Sequence, residues 1–266
     1  MDKKVTVRTL NAMKSRGEKI VMLTGYDAVT ARWAEQAGCQ LVLVGDSMGN
    51  TVLGYENTLP VTLEESLAHT AAVRRGAKLA MVIGDMPFMS YQISVEEAVR
   101  NAGRYLKEAG ADAVKLEGGR TMLPVIKRLV EAGIPVMGHI GLLPQSVLKD
   151  GGYRIHGKAE EEARELSEDA IAMQEAGCFS IVLEGVPAEL SRKITESLRI
   201  PTIGIGAGPY TDGQVQVIAD LLGYGGGYLP KHAKCYADLN SIALKAIAQY
   251  CEEVKNGQFP AEGNSF

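Results

Sequence analysis

The sequence predicts an α/β fold, a (β/α)8 TIM barrel with an extra N-terminal helix, and three observations carry that reading. Helical segments close repeatedly on a Glu-Ala-Gly stop, at Glu108-Ala-Gly110, Glu131-Ala-Gly133 and Glu175-Ala-Gly177, with the variant Glu35-Gln-Ala-Gly38. A short apolar run follows each stop, continuous rather than alternating, as in parallel strands buried on both faces. Five apolar runs end on a residue able to bind a metal or move a proton: Asp46, Asp85, Glu117, His139 and Glu184. In a barrel of this kind the strand C-termini converge on one face, so residues distant in sequence share a single site.

Eight strands are expected: Ile20–Thr24, Gln40–Val44, Leu79–Gly84, Ala113–Glu117, Pro135–His139, Ser180–Glu184, Pro201–Gly206 and a weak eighth near Gly226–Leu229. Amphipathic segments separate them. Thr62-Leu-Glu-Glu65 and Ser94-Val-Glu-Glu97 read as capping boxes, in which a hydroxyl and a carboxylate satisfy each other's free backbone N–H groups. Asp212 is expected to cap a helix after the seventh strand. The segment Val5–Arg16 has helical spacing and is placed across the barrel bottom. Two long connections, Ser47–Pro60 and Gly141–Lys158, leave from the strand C-termini, where long loops serve as lids or binding elements.

The 266 residues match the length of about 250 typical of one such barrel, and no linker rich in Pro, Gly or Ser divides them. One domain, 1–266, is expected. A net charge of −4 provides no basic field for a phosphate backbone, so nucleic acid is not expected as a partner. No apolar run nears the 18–20 residues or so of a membrane span, and the first residues lack a signal-peptide core. A cytoplasmic location follows as the expectation. Cys39, Cys178, Cys235 and Cys251 stand singly and read as small packed hydrophobes kept reduced.

The polar tips suggest a metal-dependent enzyme acting on a small anionic molecule. Aspartate at the end of a buried strand is costly unless its charge is paired or bound to a cation. Asp46, Asp85 and Glu117 together make an all-oxygen donor set suited to a hard divalent ion such as Mg2+. Lys115 and Glu117 are two apart on one strand and so share a face, where an ammonium can sit beside a developing oxyanion. Glu184 lies in the apolar stretch Ile181-Val-Leu-Glu-Gly-Val-Pro187. Partial desolvation there suits a general base that removes a carbon-bound proton. His139 is placed to bind a substrate carboxylate or take part in acid–base work. The cluster Gly204-Ile-Gly-Ala-Gly208 lacks full dinucleotide spacing and reads as close backbone approach at the mouth, or as an anion site at a following helix start.

A run of ordered stretches resembles the ketopantoate hydroxymethyltransferase family of the phosphoenolpyruvate/pyruvate barrel superfamily. It includes Met22-Leu-Thr-Gly-Tyr-Asp27, Val44-Gly-Asp-Ser-Met-Gly49, Asp85-Met-Pro-Phe-Met-Ser-Tyr91, Val114-Lys-Leu-Glu-Gly-Gly119, Gly138-His-Ile-Gly141 and Pro144-Gln-Ser146. Further matches are Thr58-Leu-Pro-Val-Thr62, Ile203-Gly-Ile-Gly-Ala-Gly208, Thr211-Asp-Gly-Gln214 and the final Ser265-Phe266. Leu143, Tyr228, His232 and Asn264 depart from the family pattern, all away from the acidic tips. The resemblance implies transfer of a hydroxymethyl group from 5,10-methylenetetrahydrofolate to 3-methyl-2-oxobutanoate, giving 2-dehydropantoate. It also implies Mg2+ on Asp46, Asp85 and Glu117, the 2-oxo acid contacting Asp46, Ser47, Asp85 and Lys115, and Glu184 as proton acceptor. A homo-oligomer, a decamer of stacked pentameric rings, is the implied assembly. A Mg2+-dependent 2-oxo acid lyase of the same superfamily is the nearest alternative.

Overall fold

In the computed structural model, which describes residues 3–225 and 229–266, eight parallel strands close into a barrel in sequence order. They are β1 (Ile20–Thr24), β2 (Leu41–Val44), β3 (Met81–Asp85), β4 (Ala113–Lys115), β5 (Val136–Gly141), β6 (Ser180–Glu184), β7 (Thr202–Ile205) and β8 (Gly213–Gln216), and β8 pairs back with β1. The helices are α1 (Val7–Arg16), α2 (Ala28–Gln36), α3 (Met48–Thr51), α4 (Leu63–Gly76), α5 (Val95–Lys107), α6 (Leu123–Glu131), α7 (Val147–Asp150), α8 (Glu160–Glu175), α9 (Ala188–Ser197), α10 (Ile218–Leu222) and α11 (Leu239–Lys255). Seven strands lie within two residues of their expected bounds. The four stop glycines, Gly38, Gly110, Gly133 and Gly177, all have positive φ, a backbone state that glycine enters without a Cβ penalty.

Two apolar clusters explain why the strands read as continuous runs. The inner one fills the lumen with residues such as Met22, Leu41, Ile83, Met137 and Val182. The outer one packs Val114, Leu116, Ile140 and Leu183 against the helices. In β4, β5 and β6 alternate residues face the two clusters, so both faces are apolar. Val5, Leu10 and Met13 belong to the inner cluster, so α1 plugs the barrel floor as expected. Lys14 of α1 fixes it there by donating to Asp212 Oδ2 at 2.7 Å and to the Thr195 carbonyl at 3.1 Å.

The eighth strand differs from expectation. Gly226, Gly227 and Tyr228 lie outside the described residues, and the barrel closes earlier, at Gly213–Gln216. Asp212 therefore caps no helix; it opens β8, bonding Lys14 and accepting from Thr202 N at 2.9 Å. With β7 followed directly by β8, the glycine cluster has no helix start on which to form an anion site. Thr62 forms its full capping box, whereas at Ser94 only the Ser94 Oγ acceptance from Glu97 N is made.

Packing divides the chain into Met1–Val217 and Ile218–Phe266. The first unit holds the barrel. In the second, Tyr236 N and Asn240 N donate to the Leu221 and Gly223 carbonyls, and the Tyr250 and Phe259 rings meet edge to face at 5.5 Å. The helix α11 exposes Ile242, Leu244 and Ile247. Cys39 and Cys178 are buried as expected, with burial pushing the Cys178 thiol up to about 12, but Cys235 and Cys251 are exposed. Among the described residues no helix is long and apolar enough to cross a membrane.

Candidate active site

At the barrel mouth the lumen-facing side chains change from apolar to charged. Strand geometry places every second residue on one face. On that count Ile83 leads to Asp85, Ala113 to Lys115 and Glu117, Met137 to His139, and Val182 to Glu184, and the four apolar members all belong to the inner cluster. Asp46 breaks the parity. The lumen position beyond Leu43 is Gly45, where an added Cβ would lie 2.8 Å from Ser47 Oγ and 3.8 Å from Asp85 Oδ2. The vacated space lets Asp46 N donate to Asp85 Oδ2 at 3.3 Å, which sets the two acids side by side. Gly84 has a related reason. A Cβ there would enter the ring of Tyr105, whose hydroxyl reaches the Asp85 carbonyl at 2.8 Å.

Lys115 is buried against these acids, 2.7 Å from Asp85 Oδ1 and 3.6 Å from Glu117 Oε1. Burial alone would lower its pKa, but Asp85, Glu117 and Asp46 outweigh it and keep the ammonium charged. Burial, then Asp85 and Glu117, push the Asp46 carboxyl well above the usual carboxylate range. Asp85 is raised as well, chiefly by burial, with Lys115 opposing. For Glu117 burial also acts upward, yet Lys115 and His139 hold it below the usual value.

His139 links this group to Glu184. Its Nδ1 lies 3.5 Å from Glu117 Oε1 and its Nε2 3.3 Å from Glu184 Oε2. Burial and the Lys115 charge push its pKa down, but the two carboxylates prevail and raise it to about 9. Glu184 retains 17% side-chain exposure, so it is partly desolvated at the mouth, beside the His139 ring.

Asp46, Asp85, Lys115, Glu117, His139 and Glu184 thus form one continuous cluster. Ser47 stands beside it, its Oγ 2.9 Å from the Tyr26 hydroxyl. Sequence reasoning assigned no role to Gln145 and Tyr91, although both fall in matched stretches. Gln145 Nε2 donates to Asp46 Oδ2 at 2.9 Å, and Tyr91 OH donates to Gln145 Oε1 at 2.8 Å. Of the long connections, 141–158 reaches the site: His156 N donates to the Gly185 carbonyl, and Tyr153 lies in the field of Asp46 and Glu184.

The donor set fits a hard divalent cation. Asp46, Asp85 and Glu117 offer carboxyl oxygens only, and the burial that pushes Asp46 and Asp85 up is a cost that a bound cation offsets. Glu117 Oε1 is buried and accepts no hydrogen bond. Among the described residues no three Asp, Glu, His or Cys side chains form a ready-made metal cage. Mg2+ does not need one, since it usually binds one or two carboxylates and completes its shell with water and substrate oxygens.

The model of the family described as ketopantoate hydroxymethyltransferase matches residues 4–262. The 3-methyl-2-oxobutanoate hydroxymethyltransferase of Syntrophus aciditrophicus is 55% identical over 264 residues, covering 99% of this chain and 97% of that protein. Its counterpart in Carboxydothermus hydrogenoformans is 57% identical over 263 residues, covering 99% and 95%. Among solved structures, oxaloacetate acetylhydrolase with its product oxalate aligns with a TM-score of 0.62 at 15% identity, over 98% of this chain and 90% of that one. The 2,3-dimethylmalate lyase of the PEP mutase/isocitrate lyase superfamily aligns with a TM-score of 0.59 at 17% identity, over 96% and 89%. The structural likenesses establish the barrel, and the close relatives establish the rest: the chain is a transferase enzyme and belongs to the ketopantoate hydroxymethyltransferase family.

Proposed function

We propose that this enzyme transfers a hydroxymethyl group from 5,10-methylenetetrahydrofolate to 3-methyl-2-oxobutanoate, giving 2-dehydropantoate, through the enolate of the 2-oxo acid. The observation that carries the reading is a division of labour in one cluster: a buried ammonium among acids at one end, and a carboxylate beside a histidine ring at the other. Asp46, Asp85 and Glu117 would hold Mg2+, which supplies Lewis-acid stabilisation of negative charge on the keto oxygen when bound. Lys115 places a second positive charge in the same dry pocket, where an oxyanion donor is typically worth about 3–4 kcal/mol to the transition state. Ser47, oriented by Tyr26, donates to the substrate carboxylate.

Glu184 takes the proton from C3. His139, whose Nε2 lies 3.3 Å from Glu184 Oε2, orients that carboxylate. The enolate carbon then forms the new C–C bond to the folate-borne methylene as one of its carbon–nitrogen bonds breaks; water replaces the other nitrogen, supplying the hydroxyl group, and tetrahydrofolate leaves with the C3 proton and one proton from water. The apolar side chains that α11 exposes support self-association into the expected homo-oligomer. The deciding experiment is deuterium exchange at C3 of 3-methyl-2-oxobutanoate, followed by NMR with Mg2+ and no folate. Exchange without net turnover, converted to 2-dehydropantoate on adding the folate donor, is expected. Turnover of a 2-oxo acid without folate would assign the lyase reaction instead.

A further inference from the structure

The side chain of Gln145 is almost wholly enclosed and bonded at both ends. Its Nε2 donates to Asp46 Oδ2 at 2.9 Å and to the Met86 carbonyl at 3.0 Å, which occupies both amide hydrogens. Its Oε1 accepts from Tyr91 OH at 2.8 Å and faces Gln92 Nε2 at 3.3 Å, and its backbone N donates to Glu117 Oε2 at 3.1 Å. Both partners of Nε2 are acceptors and Tyr91 arrives as a donor, so only one amide orientation satisfies the set. Tyr91 OH in turn accepts from Glu117 N at 3.1 Å. One loop residue therefore ties the acid after β2, the residue after β3 and the acid after β4.

We propose that Gln145 is a positioning residue that fixes Asp46 through Oδ2, leaving Oδ1 as the oxygen for a divalent cation, while its backbone N–H sets the rotamer of Glu117. Two carboxylates that repel one another are thereby held in place by a neutral donor that adds no charge. A glutamate at 145 would add a further acid, and an aliphatic side chain would leave Asp46 without its only neutral donor among the described residues. Removing such an outer partner of a metal ligand typically weakens metal binding by about 10–100-fold. The inference rests on the reading of Asp46 as a cation ligand.

The test is Mg2+ titration calorimetry on full-length wild type, Gln145→Met and Gln145→Asn, beside urea unfolding of each and steady-state rates over a range of Mg2+. Both variants lose the reach to Asp46, and the asparagine keeps the amide should the methionine fail to fold. The expected result is a Mg2+ Kd raised about 10–100-fold in folded variant, with KM for the 2-oxo acid raised at low Mg2+ and kcat recovered at saturating Mg2+. Lowered stability with unchanged Kd would reduce Gln145 to packing and overturn the inference. A kcat that stays low at saturating Mg2+ would overturn it too, by assigning Gln145 to the reaction itself. Wild type that fails to bind Mg2+ would sink the proposed metal site, a separate failure.

Discussion

His139 Nε2 stands 3.3 Å from Glu184 Oε2 while its Nδ1 faces Glu117 Oε1 at 3.5 Å, so one buried imidazole ring lies between the carboxylate proposed as base and a carboxylate proposed for the metal. The folded pKa of about 9 lies above the ordinary histidine value near 6.5. Its stabilising contribution is therefore full below about pH 6.5 and is lost as pH rises through about 9. Metal-free wild type should lose stability across that window, and His139→Gln should lose much less of it. Urea unfolding at pH 6, 7.5 and 9 measures the difference. A pH-independent wild type would show that His139 is neutral throughout.

Glu184→Gln keeps the shape of the side chain and removes its basicity. It should still bind 3-methyl-2-oxobutanoate, while C3 exchange falls by about 10²–10⁴-fold, the range typical of a general base. Near-normal exchange would move the proton to another group.

Lys115→Met retains the stem volume and deletes the charge. If the ammonium stabilises the enolate oxygen, exchange and transfer should fall together by about a hundredfold or more and excess Mg2+ should not restore them. Recovery on titrating Mg2+ would instead mean that Lys115 only holds Asp85 and Glu117 in place.

Asp85→Asn is the cleaner test of the metal site than truncation, because removing the whole side chain would strip Lys115 of its 2.7 Å partner, and breaking a buried pair typically costs about 3–5 kcal/mol. The asparagine should fold, bind Mg2+ at least tenfold more weakly by calorimetry, and lose most turnover. Wild-type activity surviving exhaustive chelation would refute the metal requirement.

Gly84→Ala forces a methyl into the Tyr105 ring. Overpacking of this kind usually costs about 1–3 kcal/mol, and the Tyr105 hydroxyl would drag on the Asp85 carbonyl. The substitution should lower both urea stability and activity, and pairing it with Tyr105→Leu should return part of the stability. Additive losses in the double variant would show that the two residues do not compete for the same space.

The strands from Ile20 to Ile205 and most of the site were legible because each strand carries a buried apolar run with a polar end. Gly213–Gln216 was not, since Val215 is its only large apolar residue and Asp212 beside it looks like a helix cap. The two Gly-Asp pairs were read for their aspartates; the glycines matter through Ser47 and Tyr105, contacts that no local pattern announces. Gln145 was missed for a similar reason. A glutamine in a loop reads as solvated surface, and only the fold shows it enclosed between three strand ends.

Closure of the ladder, with β8 paired to β1, has a consequence for how such a chain tolerates lengthening. Side chains in a strand alternate, so one residue inserted within Met81–Asp85 or Val136–Gly141 would point Asp85 or His139 into the outer helical layer and bring an outer residue to the mouth. A barrel has no edge at which the shift could be absorbed. The same residue inserted into the 141–158 connection, beyond Gln145 and before His156, disturbs no register. Length variation compatible with this site is therefore confined to the stretches between anchoring points, however apolar the inserted residue.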